Sequence, residues 1–192
     1  MAAAAVSVRT AVGIAISAAT RQGTPLAFEI GDRVVHPQHG VGYIVKLENR
    51  EFQPGTSQRY YEVSIPGGST VWVPVDLPNS GLRNLATRTD IARCRSILQS
   101  QPMRLTDDGR IRQSELVARL KQGTIAAQCE VVRDLAAFVS HKPAYGTIPA
   151  LLEAIRGVLS QEWAAVEGIT LAEAAFEIHS LLEKSGSVTP GK

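Results

Sequence analysis

The chain of 192 residues has few cysteines, few aromatic side chains and little net charge. Its two cysteines, Cys94 and Cys129, form neither a CxxC pair nor a disulfide framework. Both fall within helical patterns, which indicates buried, reduced thiols in a cytoplasmic protein. A formal net charge of +2 is too small to indicate nucleic-acid binding by itself. No apolar run reaches the length of a transmembrane helix, so we predict no membrane association.

Sequence motifs of common enzyme classes are also missing. The chain has no G-x-x-x-x-G-K-[ST] phosphate loop, no G-x-S-x-G elbow and no H-E-x-x-H zinc motif. His36 and His39 stand close together, but zinc requires three or four ligands and no third one is near. Pro37 and Gly40 instead predict a tight turn after a strand. We therefore predict a protein that is not an enzyme and that binds no metal, cofactor or small-molecule substrate.

The order of the sequence patterns predicts two folded modules. Residues 28–85 contain short runs of Val, Ile and Tyr between Gly, Pro and Ser, which predict a small antiparallel β-barrel. Residues 86–184 show apolar i, i+3, i+4 spacing, which predicts a compact all-α domain of about five helices. The Ala-rich residues 1–27 are interpreted as a flexible or targeting-like extension, and residues 185–192 as a disordered tail. The predicted fold class is therefore α+β.

Individual residues predict how the helices begin and end. Thr124 and Thr170 are N-cap residue types, and Glu173 stands at capping-box distance from Thr170. Gly123 is a predicted C-cap. Trp163 occupies an apolar position of a helical pattern, which predicts a place in the core.

The stretch FEIGDRVVHPQHGVGYIV is followed by YYEVSI and VWVPVD. Together these residues resemble the RNA-polymerase-interacting module of the CarD/CdnL transcription regulators, which also occurs in transcription-repair coupling factors. The stretch LVARLKQGTIAAQCEVVRDL resembles the helix-loop-helix of their helical domain. The resemblance implies a Tudor-like barrel that docks on the β subunit of bacterial RNA polymerase through a sheet edge. It also implies that the helical domain touches promoter DNA at the upstream bubble edge and stabilises the open complex.

The resemblance also implies which residues meet the polymerase. The implied polymerase-binding residues are Arg50, Glu51, Phe52 and Trp72. Arg50, in the implied docking strand VKLENREF, matches a basic residue that the family uses, although a solvated hairpin charge is the alternative. Trp72 stands where actinobacterial members have Arg, and it is either an interface anchor or barrel core. Strand alternation favours the interface, because it places Val71 and Val73 on the opposite face.

The DNA-binding half departs from the family pattern. Family members have a Trp that wedges into the minor groove beside the opening base pairs, and the corresponding residue here is Gly109. The implied DNA-binding residues are Arg104, Gly109, Arg110, Arg112, Arg119 and Lys121. Because Asp107, Asp108 and Glu115 oppose these cations, we predict weak contacts to the promoter DNA backbone. The alternative is an adaptor that binds no DNA and whose barrel edge strand binds another protein.

Overall fold

The computed structural model describes residues 28–53, 55–75, 81–141 and 147–186. The predicted extension at residues 1–27 and residues 187–192 of the predicted tail lie outside these ranges. A five-stranded antiparallel sheet precedes five helices, which confirms the predicted α+β class. The strands are β1 (Arg33–His36), β2 (Gly40–Gln53), β3 (Thr56–Ile65), β4 (Ser69–Pro74) and β5 (Arg83–Asn84). The helices are α1 (Arg88–Gln99), α2 (Gly109–Leu120), α3 (Ile125–His141), α4 (Thr147–Glu167) and α5 (Leu171–Gly186).

The strands lie in the order β4–β3–β2–β1–β5, and all of the pairings are antiparallel. Successive side chains of a strand point to opposite faces, so alternate residues fill a single β-core. Its buried members are Phe28, Val34, Ile44, Tyr61, Val63, Ile65, Val73 and Leu82. The backbone N–H of Phe28 donates to the Tyr61 hydroxyl over 3.0 Å, and the two rings meet edge to face. The chain therefore enters the sheet through a fixed point at Phe28.

The helices enclose a second, larger core, as their apolar spacing predicts. Trp163 is fully buried there and its indole N–H donates to Glu177 Oε2 over 3.0 Å, which confirms its predicted core position. Cys94 and Cys129 are both buried and free. Hydrogen bonding to Cys94 and burial raise the pKa of the Cys129 thiol well above its ordinary value. None of the described helices is long and apolar enough to cross a membrane.

The two predicted helix N-caps are present. Thr170 and Glu173 form a reciprocal capping box at the start of α5. The hydroxyl of Thr124 accepts a hydrogen bond from the backbone N–H of Ala127 over 3.1 Å, which caps α3. The predicted C-cap at Gly123 is wrong by two residues: α2 ends with Lys121 as its C-cap, and Gly123 follows with a φ of 66°, a conformation that glycine adopts without steric cost.

Helix α4 packs against the sheet and joins the two halves. Its Val158 is buried with Val35 and Val41. The turn before β2 lies so close to α4 that a Cβ on Gly40 would overlap the side-chain amide of Gln161, and Gly40 also has a φ of 76°. The predicted turn at Gly40 is therefore confirmed, and it is also a packing requirement.

A buried ion pair completes this contact. The carboxylate of Glu162 in α4 is fully buried and accepts both terminal nitrogens of Arg83 in β5. It also accepts the backbone N–H of Ala86 over 2.8 Å. A buried charge is tolerated only when it is paired and hydrogen-bonded. The Glu162 carboxylate meets this condition, because its partners are a side chain of β5 and a backbone N–H of the segment that follows that strand.

Candidate functional site

The face of the sheet opposite the β-core, termed the outer face, carries a row of charges along β2. Lys46, Glu48 and Arg50 alternate there, and Glu48 forms ion pairs with both basic neighbours. Hydrogen bonds from Lys46 and then Arg50 lower the pKa of the Glu48 carboxyl. Glu48 therefore stays ionised at neutral pH.

Trp72 lies on this outer face. It pairs with Glu62 in β3, which pairs with Lys46 in β2, and cross-strand partners share a face. Val73 is buried in the β-core and Val71 packs against it, so Trp72 points away from that core. The guanidinium carbon of Arg50 lies 4.3 Å from the centre of the Trp72 ring. The structure thus brings together Arg50 and Trp72, the two docking positions that the resemblance implies.

The indole N–H of Trp72 is buried and has no hydrogen-bond partner among the described residues. Leaving a buried donor unsatisfied costs about 1–3 kcal/mol. The stack with Arg50 offsets part of this, since a cation–π contact contributes about 0.5–1 kcal/mol at an exposed site. The face of Trp72 is therefore covered by Arg50, and its indole N–H is a buried donor that no described residue satisfies.

The other two implied docking residues follow Arg50 in β2. Glu51 is exposed, and its carboxylate accepts the backbone N–H of Gly55 in the turn to β3. Phe52 belongs to the same strand, and its side chain lies outside the described part of the chain. The hydrogen bond to the Glu51 carboxylate therefore stabilises the turn between β2 and β3.

Strand β2 is interior in the strand order, yet part of it has an open side. Strand β1 pairs with β2 only as far as Tyr43, and the turn before β1 reaches Ile44 through the bond from Gly31 N–H to its carbonyl over 2.7 Å. Beyond that point residues 46–49 pair with β3 on one side, Val45 being skipped by the register, and no described strand pairs with residues 45–49 on the other side. We term residues 45–49 the open β2 edge. Such an edge can accept a further strand through backbone hydrogen bonds.

The two histidines of the turn are used locally. Nδ1 of His36 accepts the backbone N–H of Gln38 over 3.2 Å, and the His36 and His39 rings lie 4.7 Å apart. Burial and the neighbouring His39 lower the pKa of the His36 imidazole below 6.5. Within the described ranges, no group of three or more His, Cys, Asp or Glu side chains is arranged to hold a metal ion.

Gly109 is the first residue of α2 and is exposed. The Asp108 carboxylate caps this helix by accepting the N–H groups of Arg110 and Ile111 over 2.8 and 3.1 Å. A Cβ on Gly109 would meet only the end of the Arg112 side chain at 3.6 Å, which is ordinary contact. The wedge position is thus accessible and could hold a large side chain.

The cations implied for DNA binding divide into two groups. Arg104, Arg110 and Lys121 are exposed, and none of them forms an ion pair with another described residue. Arg110 and Lys121 belong to the same exposed face of α2. Arg112 instead donates to the carbonyl of Thr106 over 2.8 Å and lies over the ring of Phe138. The predicted role of Arg112 therefore competes with a contact inside the helical domain.

Arg119 also forms an ion pair inside the helical domain. Its partner is a buried residue that the sequence did not indicate as a site. Asp134 of α3 is fully buried and pairs with Arg119 over 2.6 Å and with Arg133 over 2.8 Å. It also accepts the backbone N–H of Met103 over 2.8 Å. An Arg–Asp pair inside VVRDLAAFV, which is otherwise apolar, was a signal for such a cluster, because a charge in an apolar helix needs partners.

Comparison with known proteins supports the resemblance. Residues 28–86 match the family described as "CarD-like/TRCF RID domain". We term residues 28–86 the CarD-like domain after this match. A protein of Bacillus subtilis (strain 168) named "Putative transcription factor YdeB" is 29% identical over 147 residues, covering 74% of this chain and 94% of the relative. The likeness therefore continues beyond the CarD-like domain into the helical part.

Some candidate residues lie within the CarD-like domain, and others lie beyond its last residue. Arg50, Trp72 and the open β2 edge lie within the CarD-like domain, which comprises the whole sheet. Gly109 and the exposed cations of α2 lie beyond it. The chain thus carries one candidate surface for a protein on the sheet and a separate one for nucleic acid on the helices.

Proposed function

We propose that the CarD-like domain docks on the β subunit of bacterial RNA polymerase through the open β2 edge and the outer face beside it. The helical domain then touches promoter DNA at the upstream edge of the bubble. The observation that carries this proposal is the stacking of Arg50 on Trp72 within a domain of the family that interacts with RNA polymerase. The protein is proposed to act in the cytoplasm as a transcription regulator that is not an enzyme and needs no metal or cofactor.

Edge and face contribute different interactions to this docking. Strand addition at the open β2 edge supplies directional backbone hydrogen bonds. The outer face supplies an aromatic anchor in Trp72, whose buried N–H has no partner among the residues that the structure describes. Arg50 lies at the rim, where charge chiefly sets the encounter rate and the choice of partner. A side-chain change there weakens the binding and leaves the fold intact.

Binding to the isolated polymerase β subunit tests the docking surface. We expect Arg50→Glu and Trp72→Ala each to weaken binding by about 1.4 kcal/mol or more, a factor of ten. The matched control is Arg93→Glu, the same charge reversal at an exposed position of α1. If both docking variants bind as tightly as Arg93→Glu at low salt, the outer face is not the interface.

The DNA contact is proposed to be weak because the wedge is absent. The exposed cations Arg104, Arg110 and Lys121 can each neutralise a phosphate, with a slope of about −0.9 in log K against log salt per contact. Two or three such contacts place binding to free DNA in the non-specific range, about 10⁻⁴ M or weaker at physiological salt. Docking on polymerase raises the effective concentration and lets this contact act on a promoter.

The lifetime of the promoter open complex tests the wedge position. We expect Gly109→Trp to lengthen it relative to wild type, because an inserted side chain stabilises unstacked bases. The control is Gln113→Trp, which adds the same side chain one turn further along the exposed face of α2. A wild type that already matches Gly109→Trp would mean that another residue acts as the wedge, and the exposed Ile111 would then be tested.

The second candidate is an adaptor that binds polymerase or another protein and does not contact DNA. It is favoured by the engagement of Arg112 and Arg119 inside the helical domain. The double variant Arg110→Gln, Lys121→Gln separates the two candidates. An open-complex lifetime unchanged from wild type would favour the adaptor, whereas a shorter one would support the DNA contact.

A further inference from the structure

The open β2 edge combines an open backbone with exposed side chains. Val45 and Leu47 are 45% and 41% exposed, and Lys46 and Asn49 are exposed as well. Leu47 pairs with the buried Tyr61 of β3, so it belongs to the face of the β-core. Its exposure arises at the open side, where no described strand covers it. A strand added at this edge would therefore remove apolar surface from water.

The charges of the open β2 edge are arranged symmetrically about Leu47. Lys46 precedes it and Glu48 follows it, and these two side chains form an ion pair on the outer face. A lysine alone at an edge opposes pairing with a second strand. A cation and an anion at equal distances from one residue act differently, because reversing the direction of the strand exchanges their positions. The edge is therefore complementary in charge to an antiparallel copy of itself.

We propose that two copies of this chain associate through the open β2 edge, as antiparallel strands related by a two-fold axis at Leu47. The two Leu47 side chains then lie opposite each other, and Lys46 of each copy lies opposite Glu48 of the other. Opposite residues of antiparallel strands have Cβ atoms about 4.5–5.5 Å apart, which is close enough for an ion pair. The inference does not rest on the proposed function.

The neighbouring registers bring like charges together. Residues directly opposite in an antiparallel pair share a face of the sheet, so a symmetric pairing requires the axis to pass through a residue. An axis at Lys46 would place two ammonium groups opposite each other, and an axis at Glu48 would do the same with two carboxylates. Like charges directly opposite destabilise a sheet. An axis at either end of the edge would pair most of it with residues beyond the edge. Charge and alternation thus select the register centred on Leu47.

The interface is small, so we expect the association to be weak. Residues 45–49 of each copy are far fewer than the roughly 20–30 residues a side of a standard interface. The two new ion pairs would join the existing pairs of Lys46 with Glu48 into a network of alternating charge, and a network contributes more than isolated surface pairs. We expect a dissociation constant between about 1 μM and 1 mM. Because polymerase docking is proposed at the same edge, a dimer and a polymerase complex would exclude each other.

Sedimentation equilibrium of the full-length protein, from about 1 μM to 1 mM, tests the inference. Lys46→Glu and Glu48→Lys each place like charges opposite one another in a homodimer, so we expect each to weaken self-association at least about tenfold. An equimolar mixture of these two variants has opposite charges at both positions and should associate about as tightly as wild type. Arg93→Glu, the same charge reversal at an exposed position of α1, is the control and should associate like wild type.

A further variant leaves the charged row intact. Leu47→Asp places two carboxylates at the two-fold axis and should also weaken self-association at least about tenfold. Because Leu47 is 41% exposed in the single chain, we expect this variant to fold, and circular dichroism of every variant provides the check.

Three results would overturn the inference. The first is a wild type that stays monomeric up to about 1 mM. The second is a Leu47→Asp variant that associates as tightly as wild type. The third is a mixture of folded Lys46→Glu and Glu48→Lys chains that associates no more tightly than either chain alone. Because no polymerase is present in these measurements, the proposed docking is judged separately by its own experiment.

Discussion

The two halves of the molecule use their arginines in opposite ways. In the CarD-like domain Arg50 stacks on Trp72 at the surface, with 35% of its side chain exposed. In the helical domain Arg119 is 18% exposed and pairs with a fully buried Asp134. An exposed pair contributes little to stability and leaves the side chains accessible to a partner. A buried pair cannot lose one member without leaving the other uncompensated, so it is committed to the fold.

The sharpest test of this contrast is the removal of the buried carboxylate. We expect Asp134→Ala to lower the free energy of unfolding by about 3–5 kcal/mol, because Arg119 and Arg133 would be left without their partner. Urea unfolding provides the measurement. Glu153→Ala, at a 68% exposed carboxylate paired with Arg156, is the control and should change stability by less than about 0.5 kcal/mol. Equal losses in the two variants would remove the distinction between the halves.

The ion pair between Glu162 and Arg83 joins the two halves, and its disruption gives the next largest expected loss of stability. We expect Glu162→Gln to cost about 2 kcal/mol, because the amide loses the charge that the two Arg83 hydrogen bonds need. Glu167→Gln changes a partly exposed carboxylate of the same helix, 3.7 Å from Arg95, and should cost less than about 1 kcal/mol. Urea unfolding compares the two variants. A Glu162→Gln protein as stable as Glu167→Gln would mean that apolar packing alone holds α4 on the sheet.

The difference between exposed and internally paired cations also predicts which of them contribute to DNA binding. We expect Lys121→Gln to reduce the salt slope of DNA binding by about 1, since an exposed cation would no longer release a counterion. Arg119→Gln should leave the slope unchanged, because that side chain is engaged with Asp134. The measurement is affinity for duplex DNA at several salt concentrations, with folding checked by circular dichroism. A fall in slope for Arg119→Gln would return this residue to the DNA surface.

The smallest effect concerns the histidine turn of the CarD-like domain. Burial and His39 lower the pKa of His36, so the unfolded chain takes up the proton first. Stability should therefore fall as the pH drops below about 6.5, the unfolded value, and level off below the folded pKa. His36→Gln should remove this component and His141→Gln, at an exposed residue, should retain it. Thermal unfolding between pH 7 and 5 measures both, and a His36→Gln variant with wild-type pH dependence would contradict the assignment.

Local patterns predicted the features that depend on neighbouring residues. The capping box of Thr170 and Glu173 and the core position of Trp163 follow from spacing along one helix, and both are confirmed. Helix α2 begins at Gly109 because Asp108 caps it, upstream of the apolar repeat in SELVARL, so periodicity alone does not indicate its start. Strand β5 has only two residues and forms by pairing with β1, so it has no periodicity to detect.

By itself the sequence determined the α+β order of elements, the turn at Gly40 and the resemblance that the CarD-like match supports. Only the tertiary structure decided that Arg50 meets Trp72, that Arg119 is paired with Asp134 and that β1 ends short of the open β2 edge. Helix periodicity and capping act within a few residues of one another. The exposure of an arginine or of a strand edge instead depends on strand register and on packing between elements far apart in the chain, which no local pattern encodes.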